Sequence, residues 1–321
     1  MSTTGKFLGA IALLLFTACS RGSPRAQGEP VTARAAALAS KPVAPTRLLS
    51  LPVSAYTPSL ALDGDVVYLL TRGAVYRVAA GKPPQRTELD LGIGPVLAES
   101  GIVFWSNGAV WNAAKEGGSV WRLATVPKQP EYFVASSGGI AWLDRADDGA
   151  YRLQALDGQK ARVLVAHQTE ISAVHMIHDR VFFVARGKDN SWRIGSVHKA
   201  GGEPSYTESR TGPTPAQLAG TESVVYYDMD KSEIRQLTQD LMTEHVWLKD
   251  FVCSPIHEAN HVFCGRVEGL FEVLADSHTP RPLVLGRHET ITLVRANAKQ
   301  VVWIADLGPD QLAVDMLPVV P

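Results

Sequence analysis

Along this chain, short apolar runs ending on a large or soft residue recur seven times. They are Val66-Val67-Tyr68, Ile102-Val103-Phe104, Ile140-Ala141-Trp142, Val181-Phe182-Phe183, Val224-Val225-Tyr226, Val262-Phe263-Cys264 and Val301-Val302-Trp303. Their last residues lie 36, 38, 41, 43, 38 and 39 apart. Seven to ten residues after each comes a second phrase, at Tyr76-Arg77, Trp111-Asn112, Tyr151-Arg152, Trp192-Arg193, Ile234-Arg235, Phe271-Glu272 and Ala313-Val314. Polar turns separate the phrases. Short runs with period-two alternation between turn residues read as strands, and two marks keeping one period near forty residues read as a radial repeat. The pattern predicts an all-β chain, a seven-bladed β-propeller of four-stranded blades.

The first repeat resolves into strands at 59–62, 66–70, 74–79 and 86–91, the second at 95–99, 102–106, 109–113 and 119–125. Fourth strands recur at 162–166, 205–209, 244–248 and 281–285. The last repeat holds only three, at 292–296, 301–305 and 311–320, while a spare strand, Thr46 to Leu51, precedes the first repeat. Pairing that N-terminal strand with the last blade closes the ring and removes an exposed sheet edge. Six blades plus a separate hairpin is the alternative.

The arginines that follow the third-strand rings, Arg77, Arg152, Arg193 and Arg235, allow an anion-binding ring on paper. Third strands lie away from a propeller axis, so stems packed on apolar surface with wet or paired heads are expected instead.

The N-terminal end follows a different pattern. Lys6, an apolar run from Phe7 to Phe16 and small residues before Cys19 have the layout of an export signal, too short in its apolar part to span a bilayer. Phe16-Thr17-Ala18-Cys19 resembles the lipobox of bacterial lipoproteins, with Phe16 where Leu is usual. The resemblance implies cleavage before Cys19, diacylation of that residue and membrane anchoring by its acyl chains. Ser20, where inner-membrane retention often has Asp, favours the outer membrane facing the periplasm. An ordinary secretory signal with a coincidental cysteine is the alternative. Residues 20–45 are rich in Ala, Pro, Gly, Ser and Arg and cannot bury enough surface to fold. The expected organisation is therefore a signal peptide at 1–19, a tether at 20–45 and the propeller at 46–321.

Without the signal, 30 basic and 32 acidic side chains remain, a formal charge of −2. This leaves no basic footprint for nucleic acid. The phrases Phe104-Trp105-Ser106-Asn107 and Ala141-Trp142-Leu143-Asp144 resemble the YWTD repeat of receptor-type propellers, and Val224 to Asp228 echoes it more loosely. That resemblance implies architecture and no ligand. The chain as a whole resembles uncharacterised bacterial propeller lipoproteins, for which no activity is implied.

Few motifs point to chemistry. His257-Glu258-Ala259-Asn260-His261 matches the H-E-x-x-H pattern of zinc proteases, but that chemistry needs a helix to place both imidazoles on one face. Here the motif falls on a strand-to-strand turn. Cys253 and Cys264 flank the same hairpin. A turn centred between Glu258 and Ala259 sets them opposite each other as a disulfide, and a one-residue slip separates them. Two free thiols, or a zinc site with His257, are the alternatives. Asp228-Met229-Asp230 begins like a calcium loop without its later ligands. His175 and His178, three apart on one strand, are expected to be neutral core or channel histidines.

Ligand sites in propellers usually lie at the channel mouth where the innermost strands are entered. Here those entrances are Tyr56, Ile93, Glu131, Glu170, Thr214 and Thr290. With Glu289 they make Tyr56, Glu131, Glu170 and Glu289 the candidate ligand-binding residues, with no catalytic set, metal or cofactor recognised. The expectation is a monomeric, lipid-anchored, non-enzymatic interaction or ligand-binding platform with an envelope protein as partner. In general plan it resembles the propeller lipoprotein of outer-membrane barrel assembly. A metal-dependent propeller hydrolase such as a lactonase is the alternative. A carbohydrate or peptidoglycan binder is another, and it needs Trp111 or Trp121 exposed.

Overall fold

The computed structural model describes residues 44–52, 58–79, 81–254, 256–259, 261–274, 279–285, 289–308 and 311–319. Cys19, Tyr56 and nearly all of the expected tether lie outside the described residues. The rest is a seven-bladed β-propeller, each blade a four-stranded antiparallel sheet. Strands are named from the axis outward as inner, second, third and outer.

All seven marker residues of the second strands are buried, from Tyr226 and Cys264 at 0% exposure to Phe104 at 3%. Their side chains build the interfaces between blades. The hydrophobic core is correspondingly divided into seven clusters, each shared by two neighbouring sheets. Trp192 of blade 4, for example, meets Tyr226 of blade 5 edge to face at 6.3 Å. Because apolar burial lies between blades, the axis is left for inner strands alone. That division creates the central channel.

Thr46–Pro52 pairs antiparallel with Gln311–Pro318 and supplies the outer strand of blade 7, closing the ring as the strand count predicts. The joint is fastened by Arg47, which donates two bonds of 2.9 Å to the carboxylate of fully buried Asp315. The blade 1 outer strand is Gln85–Glu88, not 86–91. Leu89 and Leu91 leave the ladder to donate to the Gly73 and Arg72 carbonyls, and Leu91 is buried against blade 2. Turn glycines are required where sheets crowd: a Cβ on Gly101, at φ +148°, would lie 2.3 Å from the Ala113 carbonyl oxygen.

Candidate functional site

The third-strand arginines do not form a ring of their own. Arg77 donates to Gln85, Arg152 binds buried Asp144 through two bonds of 2.9 and 3.1 Å, and Arg193 lies 3.7 Å over the Tyr206 ring. Arg235 sits in an ionic knot with Glu233 at 2.5 Å, Glu244 at 2.5 Å and Asp228 at 3.4 Å. Arg210, from the outer edge of blade 4, donates 2.7 Å bonds to both Glu244 oxygens, and the Tyr226 hydroxyl donates to the same carboxylate. Burial alone would raise Glu244. The bonds from Tyr226 and Arg210 outweigh it and hold the carboxyl below its usual range.

The expected mouth carboxylates are likewise matched. Glu131 accepts from Arg145 at 2.5 Å, Glu170 faces Arg186 at 3.6 Å, and Glu289 lies 3.6 Å from Arg47. Among the described residues no three His, Cys, Asp or Glu side chains are grouped to hold a metal. None of the three glutamates lines the channel cavity.

In the H-E-x-x-H segment both histidines lie on strands, Ile256–Ala259 and His261–Arg266, not on a helix. His261 bonds Glu272 at 2.5 Å, toward the third strand, whereas His257 points to the channel. Cys253 and Cys264 are bonded, with Cα atoms 5.3 Å apart. The hairpin register that sets this differs from a turn between Glu258 and Ala259: Cys264 stands opposite Ile256, and Cys253 reaches it from the preceding loop. His178 is also displaced, since its strand ends at Ile177 and it occupies the turn at φ +50°.

The channel encloses a cavity of about 690 Å³ reaching from the inner strands to the face carrying their hairpin turns. That size lies within the range of small-molecule sites. Strand register defines one level of its wall. Opposite the middle residue of each second-strand triplet stands one inner-strand residue per blade. Four are apolar: Leu62, Val96, Val134 and Ala219. The other three are His175, His257 and Arg295, from blades 4, 6 and 7. All seven line the cavity. Sequence reading missed Arg295 and this ring; overlaying the inner strands on the triplets would have exposed it.

The two histidines also stitch blades together. His175 Nε2 meets the Gly220 carbonyl at 2.7 Å and His257 Nε2 meets the Ala296 carbonyl at 3.2 Å. Between them Gln217 bonds both the N–H and the carbonyl of Ile256, at 3.2 and 2.9 Å. A carbonyl only accepts, so each Nε2 carries the proton and each Nδ1 keeps a lone pair. Burial lowers His175 to about 4; burial, then the charge of Arg295, lowers His257 to about 3. Both rings are neutral at pH 7. Arg295, lowered by burial to about 10, remains charged. Its Nη1 donates 2.9 Å to the Val294 carbonyl, and no carboxylate among the described residues pairs with it. The level is a half-apolar, half-polar ring with one cation and no counter-charge.

No protein-family model matches the chain, and no curated protein matches it. Solved structures do. The AfRom2 CNH domain overlays with a TM-score of 0.58 at 9% identity, over 87% of this chain and 100% of that one. The computationally designed Ika8 protein gives 0.55 at 13%, over 85% and 99%. An acylaminoacyl peptidase of Pyrococcus horikoshii gives 0.59 at 10%, over 83% of this chain and 52% of the peptidase. At such identities the likeness shows the propeller fold and nothing finer.

One further side chain bears on function. Trp121, on the outer strand of blade 2, is 41% exposed beside similarly exposed Val120, whereas Trp111 is half-buried and donates 2.9 Å to the Ser106 carbonyl.

Proposed function

We propose that this chain is a non-enzymatic binding platform of the bacterial envelope, a propeller held at the membrane through lipidated Cys19 by the tether at 20–45, with the outer membrane facing the periplasm favoured. The observation that carries the binding role is the channel. Buried carboxylates within the blades, Asp144, Glu272 and Asp315, are each met by an arginine of the same blade, so those charges serve the framework. The channel wall combines open volume with a cation, Arg295, that no carboxylate among the described residues pairs with. The anchoring rests on the lipobox-like Phe16 to Cys19 and the low-complexity segment behind it.

In-cell crosslinking of the full chain, with affinity purification and mass spectrometry, tests this beside Cys19→Ser. Membrane fractionation and specific envelope partners that are lost in the variant are expected. Equal solubility of both forms without partners would overturn the anchored platform. A carbohydrate-binding role has one observation in its favour, the exposed Trp121. If purified peptidoglycan pulls down wild type and Trp121→Ala equally well, that second reading fails.

A further inference from the structure

The channel ring carries a more specific ligand chemistry. Its single permanent charge is positive, contributed by Arg295 from the inner strand of blade 7, and no carboxylate shares the cavity at that level. The other charged residues on the cavity wall lie at the turn face: Lys299 is engaged with Asp65 at 2.9 Å, and Glu222 lies 3.5 Å from the His178 ring. They leave Arg295 uncompensated. A half-buried guanidinium without a carboxylate partner selects an oxyanion, which its planar fork binds through two parallel N–H bonds.

The histidines refine the choice. Each spends its proton on a backbone carbonyl, so each offers a ligand only an acceptor. A bare anion gains nothing from two lone pairs, whereas a ligand with a hydroxyl proton does. On the three consecutive blades between Arg295 and His175, Leu62, Val96 and Val134 make an aliphatic wall that prefers hydrocarbon. Charge, donor and apolar body are thus requested at one level of the channel.

We propose that the ring formed by Arg295, His175, His257 and the aliphatic wall is a binding site for a small hydroxy-carboxylate with an aliphatic portion. The carboxylate sits on the Arg295 guanidinium, the hydroxyl donates to a histidine Nδ1, and the hydrocarbon lies on blades 1 to 3. The proposal rests on reading the channel as a binding site and is independent of the tether.

Thermal shift and calorimetry on the full-length protein test it with three probes: 2-hydroxy-4-methylpentanoate, its deoxy analogue 4-methylpentanoate, and inorganic phosphate. The hydroxy acid is expected to raise Tm and bind about tenfold more tightly than the deoxy acid, as one hydrogen bond supplies. Arg295→Met, which keeps the side-chain volume and removes the charge, should stay folded and lose the response, and Arg295→Lys should keep part of it. Three outcomes would overturn the site: no response to the hydroxy acid, equal responses in wild type and Arg295→Met, or phosphate binding alone. Equal binding of the two organic acids would overturn the role given to His175 and His257. None of these outcomes touches the Cys19 crosslinking result, so the ligand and the anchored platform fail or stand separately.

Discussion

Arg235 and Arg295 are both deep in the propeller, and their surroundings are opposite. Arg235 lies in blade 5 among Asp228, Glu233 and Glu244, with Arg210 sharing the last. Arg295 faces the channel with two neutral histidines and aliphatic side chains. A buried ion pair with good geometry roughly breaks even against its desolvation, whereas a buried lone charge is costly. Blade 5 therefore spends its charges on holding its own strands. Blade 7 keeps one in reserve, and a cost carried by the free protein is a gain available to a ligand.

The largest effect is expected in the ionic knot of blade 5. Glu244→Ala leaves Arg210 and Arg235 short of an acceptor and should destabilise by about 3–5 kcal/mol in urea unfolding. A loss below about 1 kcal/mol would mean that the knot is solvated and the contrast is false.

Acid comes next. An unfolded histidine titrates near 6.5, but folded His175 and His257 titrate at about 4 and about 3. Below pH 6.5 the unfolded chain thus holds protons that the ring refuses. Stability should fall with falling pH, by up to about 1.4 kcal/mol per pH unit for each histidine, until the folded values are reached. Glu244, held low, contributes stability that disappears only at more acidic pH. His175→Gln should flatten the slope between pH 6.5 and 4; an unchanged slope would show that the ring is already hydrated enough to charge.

Arg295→Met, by removing the reserve charge, should raise free-protein stability by about 1 kcal/mol, the opposite sign to Glu244→Ala. A clear loss would mean that Arg295 is a framework residue. The smallest effect belongs to the strand-entrance mouth. Glu131→Gln breaks a partly exposed pair with Arg145 and should cost less than about 1 kcal/mol. Carboxylic acid binding should not change.

How much of this was legible in the sequence follows from what each feature depends on. The propeller and its closure needed only the recurrence of buried second-strand residues and a count of strands, and both survive errors of a residue or two. The ring depends on register. From ring residue to its second-strand partner the separation is 5 in Leu62–Val67, 6 in His257–Phe263 and 7 in Arg295–Val302. Hairpins of unequal length move the channel face by one position, and with period-two strands one position exchanges channel for blade interface. His175 could be expected in the channel or core because imidazole on an inner strand has few other places to go. Arg295 resembled any polar residue near a turn. The Cys253 and Cys264 hairpin shows the same sensitivity: its turn lies beyond Ala259, so Cys264 pairs with Ile256 in the ladder and the sulfur of Cys253 arrives from outside it.

The closing strand also has a kinetic consequence. Arg47 and Asp315 are 268 residues apart in sequence. Six blades can form from hairpins local in sequence, but Thr46–Pro52 has no partner until Gln311–Pro318 is in place. This pairing joins the two ends of the described chain, and such non-local pairing is expected to be slow because loop-closure entropy precedes the reward. Until it forms, Thr46–Pro52 presents an unpaired edge.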